Sequence, residues 1–84
     1  MQTVLELGSQ VAARRRRLGL KQGEVAELAG ISQEMLSRFE RGKLAEIGSR
    51  KLLAVLGVLG MQLHFAEIGA SGSLDELRRE RGGK

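Results

Sequence analysis

The chain has 84 residues, 14 Lys and Arg against 10 Asp and Glu, no cysteine, and only two aromatic residues, Phe39 and Phe65. That length allows one small domain with a limited core. The missing thiols exclude disulfide and thiolate chemistry, and so few rings argue against single-strand binding by base stacking.

The net charge of +4 favours a polyanionic partner, and its placement is uneven. Residues 1–51 hold ten Lys/Arg against six Glu, residues 52–72 hold only Glu67, and residues 73–84 hold four basic against three acidic side chains. The basic excess therefore lies in the first half, where phosphate contacts would need it. No signal peptide opens the chain, and its longest uncharged run, Leu52 to Ala66, is too short to span a bilayer. A soluble cytoplasmic protein is expected.

Thr3-Val4-Leu5-Glu6 reads as a capping box, followed by Val4, Leu7, Val11 and Leu18 at helical spacing. This predicts a first helix over about 4–18, ending at Gly19. A second helix is expected from Gln22 to Ala29 and a third from Gln33 to Arg41, stopped by Gly42. Within 22–39, Val25, Ala29, Ile31, Leu36 and Phe39 supply apolar contacts, and Ala26 is small enough for two helices to cross. Gly30 can take the positive φ of a sharp turn, and Ser32 can cap the third helix. That set is the spacing of a helix-turn-helix, which offers the start of its second helix to the DNA major groove. A loop (43–48) leads to a fourth helix, Ser49 to about Leu59, with Leu52, Leu53, Val55, Leu56 and Leu59 as its apolar face.

After Gly60 the period changes. Met61, Leu63 and Phe65 alternate with Gln62, His64 and Ala66, the pattern of a short β-strand over 61–69. A lone strand is not stable, so the same strand from a second copy is the simplest partner, with Met61, Leu63 and Phe65 as dimer contacts. The alternative is a further helical turn over 61–68. Residues 70–84 are expected to form a flexible or short helical tail, with a second capping box at Ser73-Leu74-Asp75-Glu76 and an Asp75/Arg79 pair. The expected organisation is thus a DNA-binding domain (1–60), a dimerising strand (61–69) and the tail.

A helical wheel of the third helix turns Leu36 and Phe39 inward and Glu34, Ser37, Arg38 and Arg41 outward, with Gln33 at the first turn. Gln33 suits adenine, Arg38 suits guanine, Glu34 can accept from cytosine, and Ser37 lets the helix come close. These four are the expected base contacts. Gln22, Ser32, Arg41 and Lys43 are the expected phosphate contacts. Each of these positions could equally be an ordinary solvated one; their grouping on one side is what favours the functional reading. The run Arg14 to Arg17 cannot all face one way on a helix, and Arg15 is expected to turn inward to pair with Glu40. His64, the only histidine, gives no metal site without Cys or a second His. No cofactor is expected.

Residues Leu7 to Gly42, LGSQVAARRRRLGLKQGEVAELAGISQEMLSRFERG, resemble the lambda-repressor-like, xenobiotic-response-element (XRE) class of bacterial and phage DNA-binding domains. The matching positions are Leu18-Gly19-Leu20, Gln22, Val25-Ala26, Ala29-Gly30, Ser32-Gln33 and Phe39-Glu40-Arg41-Gly42. The resemblance implies an all-α bundle of four or five helices that binds operator DNA as a dimer. It also implies an Arg15–Glu40 pair, a phosphate contact from Gln22, and Gln33, Glu34 and Ser37 facing bases. Two positions depart from the pattern: Lys21 replaces the usual Thr or Ser cap, and Gly23 weakens the first turn of the second helix. The fourth helix with Leu59-Gly60-Met61-Gln62-Leu63-His64-Phe65, and the tail segment 73–79, resemble the HipB-type antitoxins. Those dimerise through a short strand and bind a HipA-type kinase toxin.

Three functions compete. A stand-alone XRE repressor and an autoregulating antitoxin share the same DNA chemistry and differ in whether a protein partner exists. A small enzyme is not expected, with one His, no Cys and no Gly-rich phosphate loop.

Overall fold

The computed structural model describes residues 3–67, which form four helices: α1 (Val4–Arg17), α2 (Gln22–Ala29), α3 (Gln33–Glu40) and α4 (Ser49–Val58). The architecture is all-α. Each boundary has a local cause. Thr3 Oγ1 accepts from the Glu6 N–H at 3.2 Å while the Thr3 N–H donates to Glu6 Oε1 at 3.1 Å, so the capping box at the start of α1 is complete. The Ser32 hydroxyl oxygen accepts from the Met35 N–H at 3.0 Å at the start of α3. Lysine has no acceptor, so at α2 only the reverse half of a box forms, from the Lys21 N–H to Glu24 Oε1 at 2.8 Å.

All four helices end the same way, on a glycine with φ between +70° and +75°. At Gly30 the Ile31 N–H reaches back to the Ala26 carbonyl at 3.0 Å, closing α2 and turning the chain sharply into α3. Leu18, Arg41 and Leu59 become C-cap residues rather than the last residues of α1, α3 and α4. Those three helices are each one residue shorter than the periodicity predicts.

The core collects Val11 of α1, Val25 and Ala26 of α2, Leu36 and Phe39 of α3, and Leu52, Val55, Leu56 and Leu59 from α4 and its cap. Helix α3 contacts both α1 and α2, and α2 also contacts α4. Gly8 sits where α1 meets α3: a Cβ there would fall on the carbonyl oxygen of Phe39. Close approach of two helices explains this glycine.

The strand expected over 61–69 is not seen in its described part. Residues 61–67 are neither strand nor helix, so the alternative helical turn is not seen either. A strand is held by ladder hydrogen bonds to a neighbouring strand, and there is none among the described residues for 61–67 to join. Residues 68–69 of that segment and the tail, 70–84, lie outside the described residues.

Candidate nucleic-acid interface

The inward side of α3 is fully buried through Leu36 and Phe39. That fixes the rotation of the helix, and the rest follows. Gln33, Glu34 and Arg38 are exposed, and Ser37 is half-buried between them. Arg38 Nε lies 3.7 Å from Glu34 Oε2, with 53% and 76% of the two side chains exposed. An exposed i,i+4 pair of this kind holds by only ~0.3–0.5 kcal/mol, so Arg38 is readily released to another acceptor. Just beyond the helix, Arg41 and Lys43 are exposed, and Arg41 Nε donates to the Ser37 carbonyl at 3.3 Å. The exposed Ser32 hydroxyl is used by the cap only as an acceptor, which leaves its O–H able to donate to a phosphate.

Behind this surface lies a charged cluster that ties the helices together. Arg15 Nε donates to Glu40 Oε2 at 2.8 Å, and Arg15 Nη2 donates to Glu40 Oε1 at 2.8 Å. Arg15 Nη1 also donates to the Leu20 carbonyl at 2.9 Å. The Glu40 side chain is only 2% exposed, so this is a buried bidentate pair joining α1 to the end of α3. Burial opposes ionisation of Glu40. Hydrogen bonds from Arg15 and Gln22, with the positive charges of Arg15 and Arg16, outweigh that and hold the carboxyl below its usual range. The hydrogen bond to Glu40 pushes Arg15 up in turn.

Gln22 enters the cluster, its Nε2 donating to Glu40 Oε1 at 2.9 Å. One amide hydrogen of Gln22 is therefore committed inside the protein, and its second remains to meet a phosphate. No spacing rule in the sequence links the first residue of α2 to the last of α3, so this contact has no sequence signal.

Two open hollows flank the start of α3. Arg15, Lys21, Gln22, Gly23, Glu24, Glu27 and Gln33 line one of about 670 Å³. Ser32, Glu34, Met35, Arg38 and Leu44 line another of about 220 Å³. The first brings Gln33 and Gln22 together, one on each helix of the unit. It also includes Lys21 and Gly23, which the sequence presents only as departures from a pattern. Arg50 and Lys51 are further exposed cations that sequence reasoning passes over. They stand in the first turn of α4, which has no acidic residue, so they oppose the helix dipole rather than support it. That misfit is the signal that could have marked them for an anionic partner.

The remaining expected residues lie elsewhere. Met61 is half-buried, while Leu63 and Phe65 are exposed, Phe65 to 89%. Met61 and Leu63 line a hollow of about 210 Å³ with Leu7, Val11 and Leu56 and the polar Gln10, Gln62 and His64. His64 is exposed beside them. No helix among the described residues is long and apolar enough to cross a membrane.

Residues 1–66 match a family model described as a helix-turn-helix domain. No curated protein matches the chain.

Proposed function

The chain belongs to the helix-turn-helix domain family and is a DNA-binding protein of that kind, and from that premise we propose that it is a sequence-specific transcriptional repressor of the XRE type. The observation that carries this is the outer side of α3, where Gln33, Glu34 and Arg38 are exposed to solvent while Leu36 and Phe39 anchor the opposite side. In this reading Gln33, Glu34, Ser37 and Arg38 meet base edges in the major groove. Gln22, Ser32, Arg41 and Lys43 meet phosphates on either side. The protein acts as a homodimer joined through Met61, Leu63 and Phe65, on a twofold operator with half-sites about 34 Å apart. Its place is then the cytoplasm, with the nucleoid, and its chemistry is binding rather than catalysis.

Within that reading the chain is the autoregulating antitoxin of a toxin–antitoxin pair, with a HipA-like kinase as its protein partner. Support for this is the sequence of α4 with 59–65 and of 73–79. A stand-alone repressor is the alternative. A gene for a kinase-like toxin beside this one, or co-purification with such a kinase, discriminates the two. Loss of toxin neutralisation on removing 71–84, with DNA binding intact, supports the tail as the partner element, and an unchanged phenotype removes the tail from that role.

Selection of bound fragments from genomic DNA tests the core of the proposal, with a palindrome beside the protein's own gene as the expected product. On that palindrome, Gln33→Ala should cost ~1–3 kcal/mol and relax preference at one base pair of each half-site. Equal loss on every sequence would show that Gln33 does not read bases.

A further inference from the structure

Gly23 is unexplained by its own helix. It occupies the second position of α2, its φ is not positive, and glycine is among the poorest helix formers. No backbone from another element crowds it. Among the described residues, the only atoms from outside its helix near the place of a Cβ are Gln33 Oε1 at 3.4 Å and Gln33 Cδ at 3.9 Å. The Gln33 carboxamide thus lies over the first turn of α2, beside the volume that a side chain at 23 would fill. Its neighbours there leave that space alone. Gln22 turns its amide to Glu40, and Glu24 folds its carboxylate back to the Lys21 N–H.

We propose that the missing side chain at Gly23 sets the conformation of Gln33, which makes Gly23 a specificity-determining position for DNA. The proposal rests on the reading of Gln33 as a base reader. A glutamine recognises adenine only when its amide lies in the plane of the base with N–H and C=O aimed together. Three rotatable bonds separate that amide from the α3 backbone, so a neighbour that selects among rotamers selects which base edge is met. With glycine at 23, the amide rests against α2 without obstruction. A methyl group there just touches it, whereas a longer side chain takes its volume and turns Gln33 elsewhere. Gly23 itself touches no base; it acts through Gln33 as a positioning residue.

The test uses Gly23→Ala, Gly23→Gln, Gln33→Ala and the Gly23→Gln/Gln33→Ala double variant on a selected operator in which every base pair has been varied. Alanine and glutamine form helices better than glycine, so both Gly23 variants should melt above the parent, which separates any DNA effect from misfolding. Gly23→Ala should keep the parent's order of preference. Gly23→Gln should shift preference by about fivefold or more at the base pair that Gln33→Ala relaxes, with affinity for random duplex within about twofold because phosphate contacts are untouched. In the Gln33→Ala background the Gly23→Gln change should do nothing at that base pair. If Gln33→Ala relaxes the site but Gly23→Gln leaves preference unchanged, the role of Gly23 is overturned and the reading of Gln33 stands. If Gln33→Ala weakens all sequences alike, that reading falls first. A nuclear Overhauser effect between the Gly23 α-protons and the Gln33 side-chain amide should be present in the free protein, and its absence overturns the contact itself.

Discussion

Glu40 is the one buried charged residue among those described, and three hydrogen bonds converge on its two oxygens. Removing Glu40 leaves Arg15, whose side chain is 11% exposed, without its carboxylate. Glu40→Ala should therefore lose about 1.5–3 kcal/mol in urea denaturation, while Arg15→Met with Glu40→Leu should recover most of that, since neither leaves a charge behind. The pH dependence has a definite sign. The folded carboxyl sits below its ordinary range, so its stabilising contribution is complete above the unfolded value of about 4.3. It drains away as the pH falls through the lower folded value. Arg15, pushed up instead, stays charged throughout, so within this pair the pH dependence belongs to Glu40. The melting temperature of the parent should fall on acidification below about pH 4.3, and that of Glu40→Gln should fall less steeply over the same window. Parallel curves would separate Glu40 from acid sensitivity.

At the scale of the element, one substitution has three different outcomes. Gly30 has φ +75° and nothing within 4 Å of a would-be Cβ, so Gly30→Ala should cost about 1–2 kcal/mol from backbone conformation alone. Gly8 has a helical backbone but faces the Phe39 carbonyl, so Gly8→Ala must push α1 away from α3, at about 1–3 kcal/mol. Gly57 is helical, exposed and open around it, and Gly57→Ala should stabilise α4 by up to about 1 kcal/mol. Chemical denaturation of the three variants orders them, and a neutral Gly8→Ala would remove the close approach of α1 and α3. Helix spans were legible in the sequence because caps, glycine stops and apolar spacing all act within a few residues. The outward placing of Gln33, Glu34 and Arg38 followed from Leu36 and Phe39 for the same reason. The Gln22–Glu40 contact and the Gly23–Gln33 contact were not legible, because they join different helices and depend on how those helices cross. Alternation over 61–66 marks a segment able to form a strand, but the ladder itself depends on a neighbour that a pattern within one chain cannot supply.

For the whole molecule, charge placement and self-association meet in one measurement. The exposed Leu63 and Phe65 follow a stretch, 52–62, that carries no charge, whereas ten of the cations lie before residue 52. A twofold dimer joined at 61–65 would carry two copies of every phosphate contact to one operator. Each phosphate neutralised contributes about 0.9 to the slope of log K against log salt. Lys43→Ala should therefore lower that slope by about 1.8 in a dimer, from two lost contacts, and by about 0.9 in a monomer. If the dimer is joined through this segment, Leu63→Pro should supply the monomer, since proline would remove a backbone donor there; light scattering should then show its mass halved. On a single half-site the two forms should bind with similar strength, because α3 is unaltered. On the full operator the parent should bind far more tightly, since its second half-site is filled within the same complex. A slope change of the same size in the parent and in Leu63→Pro would mean that each operator holds one working copy of α3, and the twofold arrangement would fail even if a dimer were present in solution.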